Sequence, residues 1–134
     1  MVKTFKSKLD NLREMLGFIK REATLNGFDD KSLNRIELAS EEVLVNIIQY
    51  GYPKQDGIIE IDCQTSGKSG IKIVIKDQGV PFNPLENKPN YNVEADIEDR
   101  PIGGCGIFFI TNLMDEVKYD RIAESNVLTL VKYR

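Results

Sequence analysis

The chain reads as an α+β fold, a largely antiparallel sheet with helices on one face. Two periodicities and their order predict it. Near the N-terminus, apolar residues recur at helical pitch in two successive stretches; on either side of SGKSG (66–70) they alternate with polar ones as strands do. With the segments after residue 103, the elements run helix, helix, strand, strand, long connection, helix, strand, strand. That order suits a sheet whose helices gather on one side. At 134 residues the chain has the size of one domain, 1–134, able to bury a single core.

Val2–Lys6 reads as a short edge strand. From Lys8 onward Leu9, Leu12, Leu16, Ile19 and Ala23 recur at three and four, an amphipathic helix that Gly27 stops in left-handed conformation. Asp29 or Asp30 caps a second helix, which runs to about Tyr50 and ends at Gly51, ahead of Pro53. Its Leu33, Ile36, Val43, Leu44, Ile47 and Ile48 share one broad side. Glu42 and Asn46, four apart, stack on a face bordering that stripe, half in the core and half in any cleft above it. Glu37 falls near the far edge of the apolar side, and the pattern gives no reason for it.

Ile59, Ile61 and Cys63, then Ile71, Ile73 and Ile75, supply the buried face of a hairpin. After it comes turn chemistry (DQGVPFNP) and a tract rich in Asn, Pro and acid. A structureless connection of about 20 residues is usually a lid, a binding loop or disorder. Residues 84–103 or so are the expected lid. Gly103, Gly104 and Gly106 lead into a third helix over IFFITNLMDEV (107–117). Strands at Val117–Ile122 and Val127–Tyr133, joined by an Ala-Glu-Ser-Asn turn, close the chain.

Composition removes several classes of function. A formal net charge of −3, with Lys and Arg scattered, disfavours a nucleic-acid backbone as partner. No apolar run is long enough to span a bilayer and MVKTFKSKLD turns polar at once, so a cytoplasmic protein without membrane contact is expected. Cys63 and Cys105 form no C-x-x-C pair, which argues against zinc and a structural disulfide. The chain has no histidine, so acid–base work near neutral pH falls to a carboxylate.

Three segments could carry chemistry. Glu42 and Asn46 are the first. Asp77-Gln78-Gly79 is the second: the Asp ends a strand whose isoleucines point inward, so it is partly desolvated and needs a donor such as an exocyclic amine, while Gly79 lets a flat ring approach. The third is GGCG (103–106) at a helix start, where bare backbone N–H groups and the helix dipole suit phosphate. Alone, D-x-G is more often an ordinary turn, GGCG a plain glycine-rich one, and the Glu–Asn pair an exposed helix face. This is not a P-loop, because no Lys-Ser or Lys-Thr follows the glycines, and the spacing fails the dinucleotide fingerprint. Together the three describe an ATP site. A carboxylate holds adenine, a glycine loop and lid cover the phosphates, and Asn46 ligates Mg²⁺, which needs few protein ligands. Glu42, one turn away, is placed to accept a proton from an attacking hydroxyl.

The series E-x-x-x-N, D-x-G-x-P-F, then G-G-x-G-[IL] before F-x-I-x-x-L-M-D-E-V, resembles the anti-sigma factor serine-protein kinases, over about Leu9–Lys132. These belong to the histidine-kinase-like ATPases, the fold shared with DNA gyrase and sensor kinases. The resemblance implies a two-layer α/β sandwich of the Bergerat type. It also implies binding of ATP and Mg²⁺, γ-phosphoryl transfer to a serine of a STAS-domain anti-anti-sigma protein, sequestration of a sigma factor, and a homodimer. Carried over, Glu42 is the catalytic base and Asn46 the magnesium ligand. Asp77, Gly79 and Thr129 hold the adenine. Gly103, Gly104, Cys105, Gly106 and Ile107 form the phosphate loop, with Arg100 either reaching the phosphates from the lid or remaining solvated. The chain departs from the family's usual N-x-x-x-H-G-Y at Tyr50. Cys105 replaces a usual Leu, Phe or Arg, and a thiol at a helix N-terminus makes a redox-sensitive site conceivable. Two other readings stay open: a module that binds ATP without transferring phosphate, and a sensor-kinase fragment whose phosphoacceptor lies in another chain.

Overall fold

In a computed structural model, residues 1–66, 70–83 and 106–134 are described. The expected lid, with Arg100, Gly103, Gly104 and Cys105, lies outside them, as does the side chain of Ile107. The strands β1 (Val2–Lys6), β2 (Ile58–Ser66), β3 (Gly70–Asp77), β4 (Glu116–Ile122) and β5 (Ser125–Tyr133) form one antiparallel sheet in the order β1-β2-β3-β5-β4. Three α-helices pack against it: α1 (Leu12–Leu25), α2 (Asp30–Asn46) and α3 (Gly106–Leu113).

Strand alternation decides which side chains meet the helices. Ile59, Ile61 and Cys63 face Asp77, Ile75 and Ile73 in register, and Leu128 and Leu130 continue that row on β5. All are buried, together with Met15, Phe18 and Ile19 of α1, Ile36, Ala39, Val43 and Leu44 of α2, and Ile110 of α3. Each large apolar side chain so buried contributes roughly 1.5–3 kcal/mol, so this layer is the main source of stability. The Phe5 and Phe18 rings, 6.4 Å apart between centroids and tilted by 56°, join the edge strand to α1.

Local chemistry places the helix ends. Asp29 takes the capping role, accepting from Ser32 N–H at 2.8 Å, and its carboxyl is held below the usual range by that bond. Gly27 adopts φ 82°, the left-handed stop the sequence predicts. Glu37 pairs with Lys20 at 3.6 Å, which ties α2 to α1 and accounts for its position. After Asn46 the helix widens into a π turn, Ile47–Gly51, a local form common at functional sites.

Three boundaries differ from expectation. A short 3-10 turn, Leu9–Asn11, precedes α1, so regular α-helix begins at Leu12 rather than Lys8. Helix α3 ends at Leu113, because Asp115 N–H donates to the Val131 carbonyl at 2.9 Å and draws the following residues into β4. The last turn holds two residues, Ala123 and Glu124, rather than four; Ile122 pairs with Ser125, and Ala123 takes a left-handed φ of 55°. Ser125 and Asn126 thereby join β5, and Asn126 comes to lie opposite Asp77.

Candidate functional site

A pocket opens between α2 and the neighbouring parts of β3, β4 and β5. Val43 and Ile47 form its helix side, and Leu128 and Phe82 complete the apolar wall. Among the described residues four polar side chains line it: Asn46, Asp77, Tyr119 and Asn126. An apolar slot with a few convergent polar groups is the usual form of a small-molecule site.

Asp77 is 4% exposed at the end of β3, sharing the parity of Ile71, Ile73 and Ile75. Burying a carboxylate is costly unless its oxygens are satisfied. Here Oδ1 accepts from Gly79 N–H at 2.8 Å and from Asn126 Nδ2 at 3.0 Å. Among the described residues no bond falls on Oδ2. Gly79 lies against the π turn: a Cβ there would fall 2.3 Å from the Gly51 carbonyl oxygen, a backbone atom with little room to yield. The neighbouring Val80 N–H donates to that same carbonyl at 2.9 Å. The loop after β3 is thus sewn to the end of α2, and only glycine fits the crossing.

Asn46 is 8% exposed, projects into the pocket from α2, and receives no hydrogen bond among the described residues. Glu42 stands one turn earlier on the same helix, half-buried, with its Oε1 shut away from solvent. Gly106 and Ile107 open α3, which packs beside α2.

Thr129 is not brought to this group. It pairs with Val74 and Lys118, and alternation turns it to the opposite face of the sheet from Leu128 and Leu130. Asn126 holds the place beside Asp77 instead. The sequence carries the signal: Asn126 shares the parity of the two core leucines, and Thr129 does not. Motif reasoning also passes over Tyr119 and Tyr52. The Tyr119 hydroxyl donates to Asn126 Oδ1. Tyr52 donates to the Ile58 carbonyl and accepts from Gln78 N–H, both at 2.8 Å, bridging β2 to the loop after β3. Burial pushes its phenol above the usual range, the Gln78 bond opposes that, and the nearby Asp77 carboxylate adds to it. Cys63 lies away from the pocket, its thiol pushed up to about 12 chiefly by burial, with Glu22 adding to it.

The family model for the histidine kinase-like ATPase domain matches residues 5–132. The chain belongs to that family. Among curated relatives it is 35% identical over 102 residues to a serine-protein kinase RsbW of Staphylococcus epidermidis, covering 72% of this chain and 63% of that protein. It is 28% identical over 117 residues to a serine-protein kinase RsbW of Listeria innocua, covering 83% and 72%. The chain therefore spans a little under two thirds of the Staphylococcus relative's length. Solved structures share the fold. The mycobacterial sensor histidine kinase MprB superposes with TM-score 0.58 at 13% identity, over 98% of this chain and 97% of that one. The histidine kinase domain of the Erythrobacter litoralis EL346 blue-light activated kinase gives 0.57 at 15%, over 91% and 60%. The fold class predicted from the sequence, a histidine-kinase-like ATPase with antiparallel sheet and helices, is therefore correct.

The donor set suits a nucleotide with a loosely held cation. No group of three His, Cys, Asp or Glu side chains among the described residues could enclose a metal, and no described helix is long and apolar enough to cross a membrane. A lone buried amide such as Asn46 fits a magnesium ion that takes its other ligands from phosphate and water.

Proposed function

We propose that the chain binds ATP with Mg²⁺ and transfers its γ-phosphoryl group to a serine of a STAS-domain partner, acting in the cytoplasm as an anti-sigma regulator that also holds a sigma factor. The observation that carries this reading is the meeting of Asn46 and Asp77 in one apolar pocket, from segments about thirty residues apart, with Glu42 a turn from the amide. The names of the relatives point the same way. Asp77 Oδ2 would accept from the exocyclic amine of adenine, with Val43, Ile47 and Leu128 packing the ring. The Asn46 amide oxygen would hold the magnesium, and Gly103, Gly104, Cys105, Gly106 and Ile107, with Arg100, would surround the phosphates. Bound magnesium supplies neutralisation of phosphate charge. Glu42 would align the serine hydroxyl and accept its proton; the rest of catalysis is positioning and charge stabilisation. The lid is assigned to about 84–103 of a single domain, 1–134, and the active form is read as a homodimer.

The test is transfer of label from ATP to a STAS-domain protein in the presence of Mg²⁺, comparing wild type with Glu42→Gln. Losing a positioned base slows transfer about 10²–10⁴-fold, so serine label should nearly vanish in the variant while ATP still binds. ATP binding without label in either protein would favour a non-catalytic partner-switching module.

A further inference from the structure

All four hydrogen-bonding positions of the Asn126 side chain are occupied. Nδ2 donates to Asp77 Oδ1 at 3.0 Å and to the Val80 carbonyl at 2.9 Å. Oδ1 accepts from Phe82 N–H at 3.4 Å and from the Tyr119 hydroxyl. Two donors and two lone pairs are the whole inventory of an amide. Its orientation is fixed by that set, since turning it over would aim oxygen at two acceptors, Asp77 Oδ1 and the Val80 carbonyl, and Nδ2 at the Phe82 N–H. At 6% exposure, water has little access to substitute for any of the four.

The consequence falls on Asp77. Its Oδ1 is filled by Gly79 N–H and Asn126 Nδ2, which pins the plane of the carboxylate and leaves Oδ2 as the acceptor for a ligand. The same amide ties down the backbone of Val80 and Phe82, while Arg121 holds the Gly79 carbonyl at 3.0 Å, so the β4–β5 hairpin helps hold residues 79–82 in place. An acceptor fixed in a buried slot welcomes a ring amine and repels a ring carbonyl, because the carbonyl would bring a second lone pair to the same spot.

We infer that Asn126 is a positioning residue that makes the pocket selective for a purine with an amine at position 6 over one with an oxo group. It acts by holding Asp77 through Oδ1 rather than by touching the base. The inference rests on the ATP reading and adds the residue that enforces its selectivity.

Binding of Mg·ATP and of Mg·inosine triphosphate, which differ at position 6, tests it by calorimetry on the full chain. Wild type should prefer ATP. Asn126→Ala should lose about tenfold of that preference, chiefly through weaker ATP binding, the size expected for one hydrogen bond to a charged group. Tyr119→Phe removes a single bond to the amide and should lose about threefold, in the same direction. A merely structural Asn126 would weaken both nucleotides in parallel, so an unchanged ratio in a folded Asn126→Ala protein overturns the inference. If that variant does not fold, Tyr119→Phe decides: a wild-type ratio there also overturns it. Equal wild-type affinity for both nucleotides sinks the inference but leaves the ATP site intact, whereas binding of neither removes the ATP reading itself.

Discussion

Asp77 and Asn126, at facing ends of β3 and β5, bond to each other and to the loop that follows β3, whereas Asn46, across the same pocket on α2, receives no bond among the described residues. The strand side is assembled when the chain folds. Its polar groups sit at low exposure because partners from distant segments satisfy them, and removing one strands another. On the helix side the Asn46 amide faces the pocket with no such bond among the described residues. One pocket thus joins a part tied together by the fold to a part left untied among the described residues. Substitutions on the two sides should therefore leave different signatures in stability and in binding.

The largest effect is expected at Gly79→Ala. The new methyl would sit 2.3 Å from the Gly51 carbonyl oxygen, so the loop after β3 must shift off the π turn. A loss of about 1–3 kcal/mol of stability, together with nearly all nucleotide affinity, should appear in denaturant unfolding and calorimetry. Asp77→Asn comes next. Its amide oxygen can keep both the Gly79 and Asn126 bonds without the charge, while Nδ2 replaces the open Oδ2 acceptor, so ATP affinity should fall at least about tenfold with only a small drop in unfolding free energy. Unchanged ATP affinity in Asp77→Asn would take the open carboxylate oxygen out of the ligand contact. Asn46→Ala should act through the metal instead. Unfolding should hold to within about 1 kcal/mol, as for sites that break no bond, while the dependence of ATP affinity on Mg²⁺ is lost. An Asn46→Ala protein that keeps its Mg²⁺ dependence would take the amide out of the metal site. The smallest effect belongs to Thr129→Val. On the outer face of the sheet it should change ATP affinity less than about twofold, and a larger loss would mean that β5 pairs with β3 in a register one residue away.

Much of this site is legible as spacing. Glu42 and Asn46 are four apart in a helix whose apolar residues fix which way it faces, so one helical wheel sets both at the edge of the core. Asp77 follows Ile71, Ile73 and Ile75 at the same parity, and that alternation alone turns it inward. The misplacement of Thr129 comes from motif matching that ignores parity within its own strand. Asn126 is hidden for a related reason. Its side chain matters only once the turn before it is known to hold two residues rather than four, and ESN reads as turn chemistry on its face. The early end of α3 has the same cause: Asp115 has no local reason to leave a helix, only a backbone partner in β5.

The one-dimensional pattern by itself determined the element order, the buried faces of two helices and a hairpin, and the residue types an ATP site needs, because helical and strand periods are properties of the local chain. Tertiary structure alone decided which strand-end residue meets Asp77, how the Gly51 carbonyl excludes a side chain at Gly79, and which oxygen of the carboxylate remains for a ligand. Those depend on the register between strands far apart in sequence, where a slip of one residue exchanges the faces of the sheet.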